Sequence, residues 1–326
     1  MMSQMLIGPM RPVLQWLAPG GSRAPLSILI YHRVLPEPDP LLTGDPDAAT
    51  FRWQMQLVAR LFNVLPLSDA VRRLQDGTLP SRAACITFDD GYADNHEVAL
   101  PILREQGLPA TFFVATGFLD GGMMFNDRVL ESIRRMPSGE LDLEHIGLGM
   151  RSIDGLDERK ALIKEVIQSV KYLERGEREE KVEQLTAQCP QALPDDLMMT
   201  TAQLKGLAAA GMEIGGHTHS HPILARLTDD QARAEIHQGK EALESILGQP
   251  VMMFAYPNGK PGSDYLPKHA AMVRECGFDA AVSTTWGVST PHTDRYQLAR
   301  FTPWDATPGR FGLRLARNLL KRHHPD

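Results

Sequence analysis

Ile86-Thr87-Phe88-Asp89-Asp90-Gly91-Tyr92 is a short apolar run that delivers two adjacent carboxylates onto a glycine turn. Residues 84–88 are mostly small, β-branched or aromatic, so the segment reads as a buried strand. The strand is expected to stop at Asp89, and Gly91 frees the backbone for a turn. Successive strand side chains point to opposite faces. Two neighbouring aspartates there would therefore aim differently and could do different work, one binding an ion and the other handling a proton. A solvated Asp-Gly turn carries the same residues, and this stretch alone does not choose between the two.

The flanking sequence repeats the pattern. Residues 26–31 form an apolar run that ends in His32-Arg33 and a proline-rich loop over 36–46. Helices are expected over 51–61, capped by Thr50, and from Leu67-Ser68-Asp69 through Leu74, closed by Gly77. Another spans 95–105, opened by Asn95 and His96, with Pro101 as a kink or boundary, and the all-apolar strand 110–115 follows. Continuous apolar strands alternating with helices are the pattern of parallel α/β architecture. From 117 to about 201 the pattern changes. Charged helical segments over 128–135 and 158–188, with the Glu177 and Lys181 pair at helical offset, read as a solvated helical insertion. Thr200 then caps a helix ended by Gly211, and the strand 212–215 follows. Thr228 and Gln231 form a capping box for the helix 229–247. Strands are expected at 251–256, 280–284 and 298–301, with a helix over 269–275 and a last basic helix over 311–320.

The chain has 326 residues, is 43% hydrophobic and carries a formal charge of -6. That is enough for a full core, and it does not present the basic surface that nucleic acid requires. Cys85, Cys189 and Cys276 are widely spaced and odd in number, which argues against a disulfide framework. Cys85 and Cys276 read as core thiols. No stretch reaches about eighteen uninterrupted apolar residues, so an integral membrane segment is not expected. Pro9, Arg11 and Pro12 interrupt the N-terminus before a secretory signal forms. A short peripheral helix at 13–17, with one tryptophan, could lie against a bilayer. The expected location is cytoplasmic, or at the cytoplasmic membrane face.

Three expected strand ends present polar residues: Asp89-Asp90, His217-Thr218-His219-Ser220-His221, and Tyr256-Pro257-Asn258-Gly259. In parallel α/β proteins the carboxyl ends of the strands share one face, which is where sites form. One carboxylate and two imidazoles make a first shell for zinc or a related divalent ion with positions left open. If 218–221 turns helically, His217 and His221 share a face, which favours them over His219. Water on such an ion is acidic enough to attack a carbonyl near neutral pH.

Thr87-Phe88-Asp89-Asp90-Gly91 followed by His217-Thr218-His219-Ser220-His221-Pro222 resembles the polysaccharide deacetylase family, also called the NodB-homology family or carbohydrate esterase family 4. The resemblance runs from about residue 26 to residue 304, apart from the insertion. It implies a distorted (β/α) barrel of about seven parallel strands with a mainly helical insertion. The implied division is an N-terminal extension over 1–25, a catalytic domain over 26–305 with the insertion at about 118–200, and a basic C-terminal helix and tail over 306–326. The implied activity is removal of N-acetyl, or sometimes O-acetyl, groups from an N-acetylated polysaccharide, oligosaccharide or lipid-linked saccharide; hydrolysis of another non-peptide C–N bond on the same scaffold, or a glycan-binding domain that has lost turnover, are the alternatives. The implied cofactor is a divalent metal, Zn2+ first, with Co2+, Ni2+ or Mn2+ as alternatives. By motif position, Asp90, His217 and His221 are the implied metal ligands and Asp89 the implied base. Asp89 would take a proton from water on the metal, and a backbone N–H near Tyr92 would help hold the oxyanion.

The sequence also departs from the family. The third motif usually brings an arginine ahead of a proline and an aromatic residue, whereas this chain has Phe254-Ala255-Tyr256-Pro257-Asn258-Gly259, an FxYPxG form. Arg300 is the candidate to orient Asp89 from another strand end, since a guanidinium fork can hold a carboxylate rigidly. A structural ion pair would use the same residue. No leucine-x-x-histidine motif supplies the usual general acid, and His292 is the nearest late histidine. His32, in Tyr31-His32-Arg33, resembles the opening motif of a subgroup that includes poly-N-acetylglucosamine deacetylases, and it is a candidate for the cleft wall or for proton transfer. Trp286 and Trp304 are candidate sugar platforms, and Phe125, Asn126 and Asp127 a candidate rim.

Overall fold

The computed structural model describes residues 2–303 and 305–321, with side chains from Met10 onward. Trp304 lies outside the described residues. In chain order, α1 (Met2–Leu17) precedes β1 (Leu26–Tyr31), and α2 (Ala48–Leu61), β2 (Asn63–Val64) and α3 (Leu67–Gln75) lead to β3 (Ala83–Phe88). A π-helical turn over Asn95–Ala99 runs into α4 (Leu100–Gln106), and β4 (Thr111–Val114) follows. The insertion contains α5 (Phe125–Arg135), β5 (Glu140–Asp142), β6 (Met150–Ser152), α6 (Leu156–Val170) and α7 (Arg175–Ala187). Then come α8 (Thr201–Ala209), β7 (Glu213–Gly216), α9 (Asp229–Leu247), β8 (Met253–Ala255), α10 (Pro267–Glu275), β9 (Ala280–Val282) and α11 (Pro308–Leu320).

Seven strands form one parallel sheet in the order β1-β3-β4-β7-β8-β9, with β2 also paired to β3. All six residues of β1 and all six of β3 are buried, because helices cover the outer face and the inner face packs within the curl against Phe113, Met253, Ala255 and Val282 of other strands. The segment 298–301 then links the two ends of the curled sheet. The Leu298 amide donates to Ala281 O at 3.0 Å beside β9, and the Phe301 amide donates to Ile28 O at 3.0 Å beside β1. This is a (β/α)-type curled sheet with helical insertions. Its core centres on ring contacts from Tyr31 to Phe88 at 5.5 Å and from Phe88 to Phe112 at 4.7 Å, both stacked. None of the described helices is long and apolar enough to cross a membrane. The three cysteines are free thiols, with Cys85 buried.

Several local expectations change. α2 starts at Ala48 rather than after Thr50, because the Asp47 carboxylate accepts the Thr50 amide at 2.8 Å and so takes the cap. Asn95 caps no α-helix. It opens the π turn, and its side-chain Nδ2 donates to His32 O at 2.8 Å, tying the loop after β3 to the end of β1. Pro101 sits at the seam between that turn and α4. The expected single helix over 158–188 is two helices, since Glu174 turns back to accept the Gly176 amide at 2.7 Å and starts α7 afresh. α5, α6 and α7 bury an apolar cluster of their own that includes Val129, Ile133, Val166, Val182 and Leu185.

Candidate metal centre

Because the strands are parallel, the ends of β3 and β7 open on the same side of the sheet. Both loops leave regular geometry at once. Asp90 has φ 78°, Thr218 φ 65° and His221 φ 54°, left-handed values that are costly for residues with a Cβ. His217 and His221 are therefore brought together by a left-handed loop and not by the expected helical turn. α9 supports that loop. The Glu235 carboxylate accepts the His219 amide at 3.1 Å and the Ser220 amide at 2.8 Å. A Cβ on Gly239 would stand 2.6 Å from the Thr218 carbonyl, so only glycine lets the helix come this close.

Nε2 of His217 and Nε2 of His221 each lie 3.3 Å from Asp90 Oδ1. One ligand atom from each of the three residues falls within 4.8 Å of the others. His217 Nδ1 sits 2.7 Å from Ala255 O, which can only accept, so the proton is on Nδ1 and the Nε2 lone pair faces Asp90. Asp90 Oδ1 is buried with no hydrogen-bond partner, an arrangement that is costly unless a cation occupies the space. A carboxylate and two imidazoles with this orphaned oxygen fit a divalent cation. Burial pushes the His221 imidazole down to about 4. Burial would raise the Asp90 carboxyl, but His221, His217 and His32 together hold it well below the usual carboxylate range. His219 turns away, its Nδ1 lying 3.0 Å from Thr116 Oγ1.

Asp89 faces the other way. Arg300 is fully buried and grips it with two bonds, Nη1 to Oδ1 at 2.6 Å and Nη2 to Oδ2 at 2.7 Å. The fork is itself held, since Nε donates to Ser283 O at 2.9 Å and Nη1 also reaches Thr87 Oγ1 at 3.2 Å. Burial would raise the Asp89 carboxyl, but the Arg300 charge and hydrogen bonds, with the imidazoles of His217 and His32, together outweigh it and the net shift is downward. Asp89 Oδ2 is 4.0 Å from His217 Nε2, so the two aspartates share one imidazole edge.

The surroundings sort the remaining candidates. His32 is exposed at the end of β1, close enough for a protonated imidazole there to lower both aspartate carboxyls. Among the described residues the Tyr92 amide donates no hydrogen bond. His292 lies in a turn that starts just after Ser289, which pairs with Leu26 at the start of β1, so it belongs to the opposite end of the sheet and not to the site. Trp286 packs toward α11, with the Arg314 guanidinium 5.7 Å from its ring centroid. Phe125 lies under the Arg178 guanidinium at 4.5 Å, within the insertion. Asp127 reaches the site loop, where its carboxylate accepts the Tyr92 hydroxyl at 3.0 Å.

Burial pushes the Asp127 carboxyl up to about 7, with the Asp90 charge adding to the rise. A folded-state pKa above the unfolded value near 4 means the folded chain holds the proton more tightly. The stability this gives is full below about pH 4 and is lost as pH rises through about 7. In metal-free protein, Asp127→Asn should change little at pH 4 and should stabilise by a few kcal/mol at pH 8. Urea unfolding at the two pH values measures this, and an equal effect at both would refute the assignment.

The residues that sequence reasoning missed are Glu235, Gly239 and Asp94. Asp94 accepts Arg33 Nε at 2.7 Å and the Val34 amide at 3.2 Å, locking the β1 and β3 loops together. Nothing in a helical acid or glycine distant in sequence signals such support, whereas Asp94, close behind the Asp89-Asp90 pair, could have been suspected.

A curled parallel (β/α) sheet whose strand ends gather a carboxylate and two imidazoles around a buried, unsatisfied oxygen defines a metal-assisted hydrolase scaffold. Residues 76–281 match the polysaccharide deacetylase family, and the chain belongs to it. It is 22% identical over 278 residues to YxkH of Bacillus subtilis (strain 168), named as a polysaccharide deacetylase, covering 85% of this chain and 71% of that protein. Its fold is similar to that of the deacetylase PplD of Streptococcus pyogenes, solved in complex with acetate, with a TM-score of 0.60 at 19% identity over 91% of this chain and 99% of PplD. IcaB of Ammonifex degensii is also similar, with a TM-score of 0.56 at 19% identity over 92% of this chain and 98% of IcaB.

Proposed function

We propose that this chain is a metal-dependent hydrolase that removes N-acetyl groups from an N-acetylated polysaccharide, oligosaccharide or lipid-linked saccharide, in a subgroup whose third motif reads FxYPxG. The observation that carries this reading is the unequal partnering of two adjacent carboxylates. Asp90 faces two imidazoles with an oxygen unsatisfied, while Asp89 is clamped by Arg300. Asp90, His217 and His221 would hold the ion; zinc suits the donor set, as do Co2+, Ni2+ and Mn2+. When bound, the ion supplies a Lewis acid and acidifies water at the site. Arg300 keeps Asp89 ionised and fixes its plane, so Asp89 serves as proton acceptor. The Tyr92 amide donates to the carbonyl oxygen as charge develops there. His32, at the rim, serves proton transfer to the departing amine. The site of action in this reading is the cytoplasm or the cytoplasmic face of the membrane.

The test is acetate release from N-acetylglucosamine oligomers by metal-loaded protein, beside Asp89→Asn. The variant should retain stoichiometric metal and lose acetate release by roughly 10²–10⁴-fold. Stoichiometric metal without acetate release from any N-acetylated glycan overturns the proposal, and ammonia release in its place moves the chemistry to another C–N bond.

A further inference from the structure

The two terminal segments carry charge opposite to the rest of the chain. Residues 1–25 hold Arg11 and Arg23 and no acidic residue, and residues 306–326 hold five basic residues against Asp326, whereas residues 26–305 hold 27 basic and 39 acidic residues. The fold brings these segments together. α1 lies along α11, where Gly312 leaves room for Met10, whose terminal methyl would stand 2.5 Å from a Cβ at that position. Phe311, Leu315 and Leu319 of α11 turn inward. At about 100° per residue, the outward arc carries Leu320 and Leu313 on the side nearer α1, then Arg317 and Arg310, then Lys321 and Arg314. Beyond them lies Trp286, with Arg314 and Lys321 over its ring at 5.7 and 6.0 Å. A cavity of about 560 Å³ opens among Trp286, Asp305, Arg310, Arg314, Arg317 and Lys321. Beside this basic arc stand four of the seven large apolar side chains exposed among the described residues: Val13, Trp16 at 81%, Leu313 and Leu320.

We propose that the face formed by α1 and α11 docks onto an anionic lipid bilayer. The basic arc takes lipid headgroup phosphates, while the two leucines, Val13 and Trp16 seat at the interface. Charge complementarity selects this occupant. The acidic remainder of the chain is repelled by the same surface, so only this face can approach it. A second copy would set like charges against each other across a two-fold axis, and a nucleic acid would leave the apolar band without a purpose. The proposal is independent of the catalytic reading.

Co-sedimentation of the full chain with vesicles tests it. Binding is expected to vesicles one third phosphatidylglycerol and not to pure phosphatidylcholine, and it should weaken with salt. A triple variant, Arg310→Gln with Arg317→Gln and Lys321→Gln, should lose roughly 100-fold in partitioning. Leu313→Ser with Leu320→Ser should lose roughly tenfold or more, with an unchanged thermal melt. Failure to bind anionic vesicles, equal binding to neutral ones, or binding indifferent to both variants overturns the proposal. So does competition by inorganic phosphate alone, which would make the cavity a free-phosphate site. A dimer in sedimentation velocity that the leucine variant abolishes would assign the face to a second copy and overturn it as well.

Discussion

Arg300→Ala should destabilise the folded chain by about 3–5 kcal/mol, because it strands a buried carboxylate that has lost both of its strong donors. Asp89 is 3% exposed and Arg300 fully buried, so neither side can recover through water. Loss of the guanidinium also removes donors from Ser283 O and Thr87 Oγ1, which bind the ends of β9 and β3 to the segment 298–301. Arg300→Lys separates charge from geometry. Lysine keeps the positive charge but cannot present two parallel N–H groups, so the stability loss should shrink to about 1–3 kcal/mol. If the fork orients the base, acetate release should remain depressed by roughly 10²-fold in the folded lysine variant. Urea unfolding and acetate release measured on the same preparations decide between the roles. A lysine variant that is less stable yet fully active would make Arg300 a structural ion pair.

The same contact shows what a linear reading can and cannot reach. β1 and β3 were legible because strands buried on both faces become unbroken apolar runs, and the polar residues that end such runs stand out. Asp89, Asp90, His217 and His221 were visible for that reason. Arg300 could be nominated from its place after 298 and 299, but its reach to Asp89 depends on 298–301 pairing with β9 and β1 across the curl of the sheet, a contact 211 residues apart. Spacing alone would let the histidine loop join its two ligands through a helical turn, since i and i+4 share a face. What decides its shape is tertiary, namely Glu235 holding its amides and Gly239 admitting the helix. The split between α6 and α7 was hidden for a local reason. Charged residues continue at helical offsets through the break, and a glutamate, an uncommon cap, makes the new start.

Asp90→Asn should cost metal binding where Arg300→Ala does not act on the ligand set, and that contrast separates a metal ligand from its support. Asp90 is buried on a left-handed turn, with Oδ1 unsatisfied within the protein. In metal-free protein this oxygen lacks a hydrogen bond, but the neighbouring imidazoles hold the carboxyl below its ordinary range, so the ionised side chain favours the folded state at pH 8. Asparagine tolerates left-handed φ as well as aspartate does but carries no charge. The metal-free variant should therefore be less stable than the parent at pH 8, and the difference should fade as pH falls below about 4. Binding of a divalent ion should fall by roughly two orders of magnitude or more, since an anionic ligand is lost from a set of three. Ligand linkage makes this visible without any substrate. At a metal concentration about 1,000 times the parent's Kd, the parent should gain about 4 kcal/mol while Asp90→Asn gains little. Thermal melts with zinc, cobalt or manganese, against melts in chelator, measure both halves of the prediction. A variant that keeps the metal-induced shift would remove Asp90 from the ligand set.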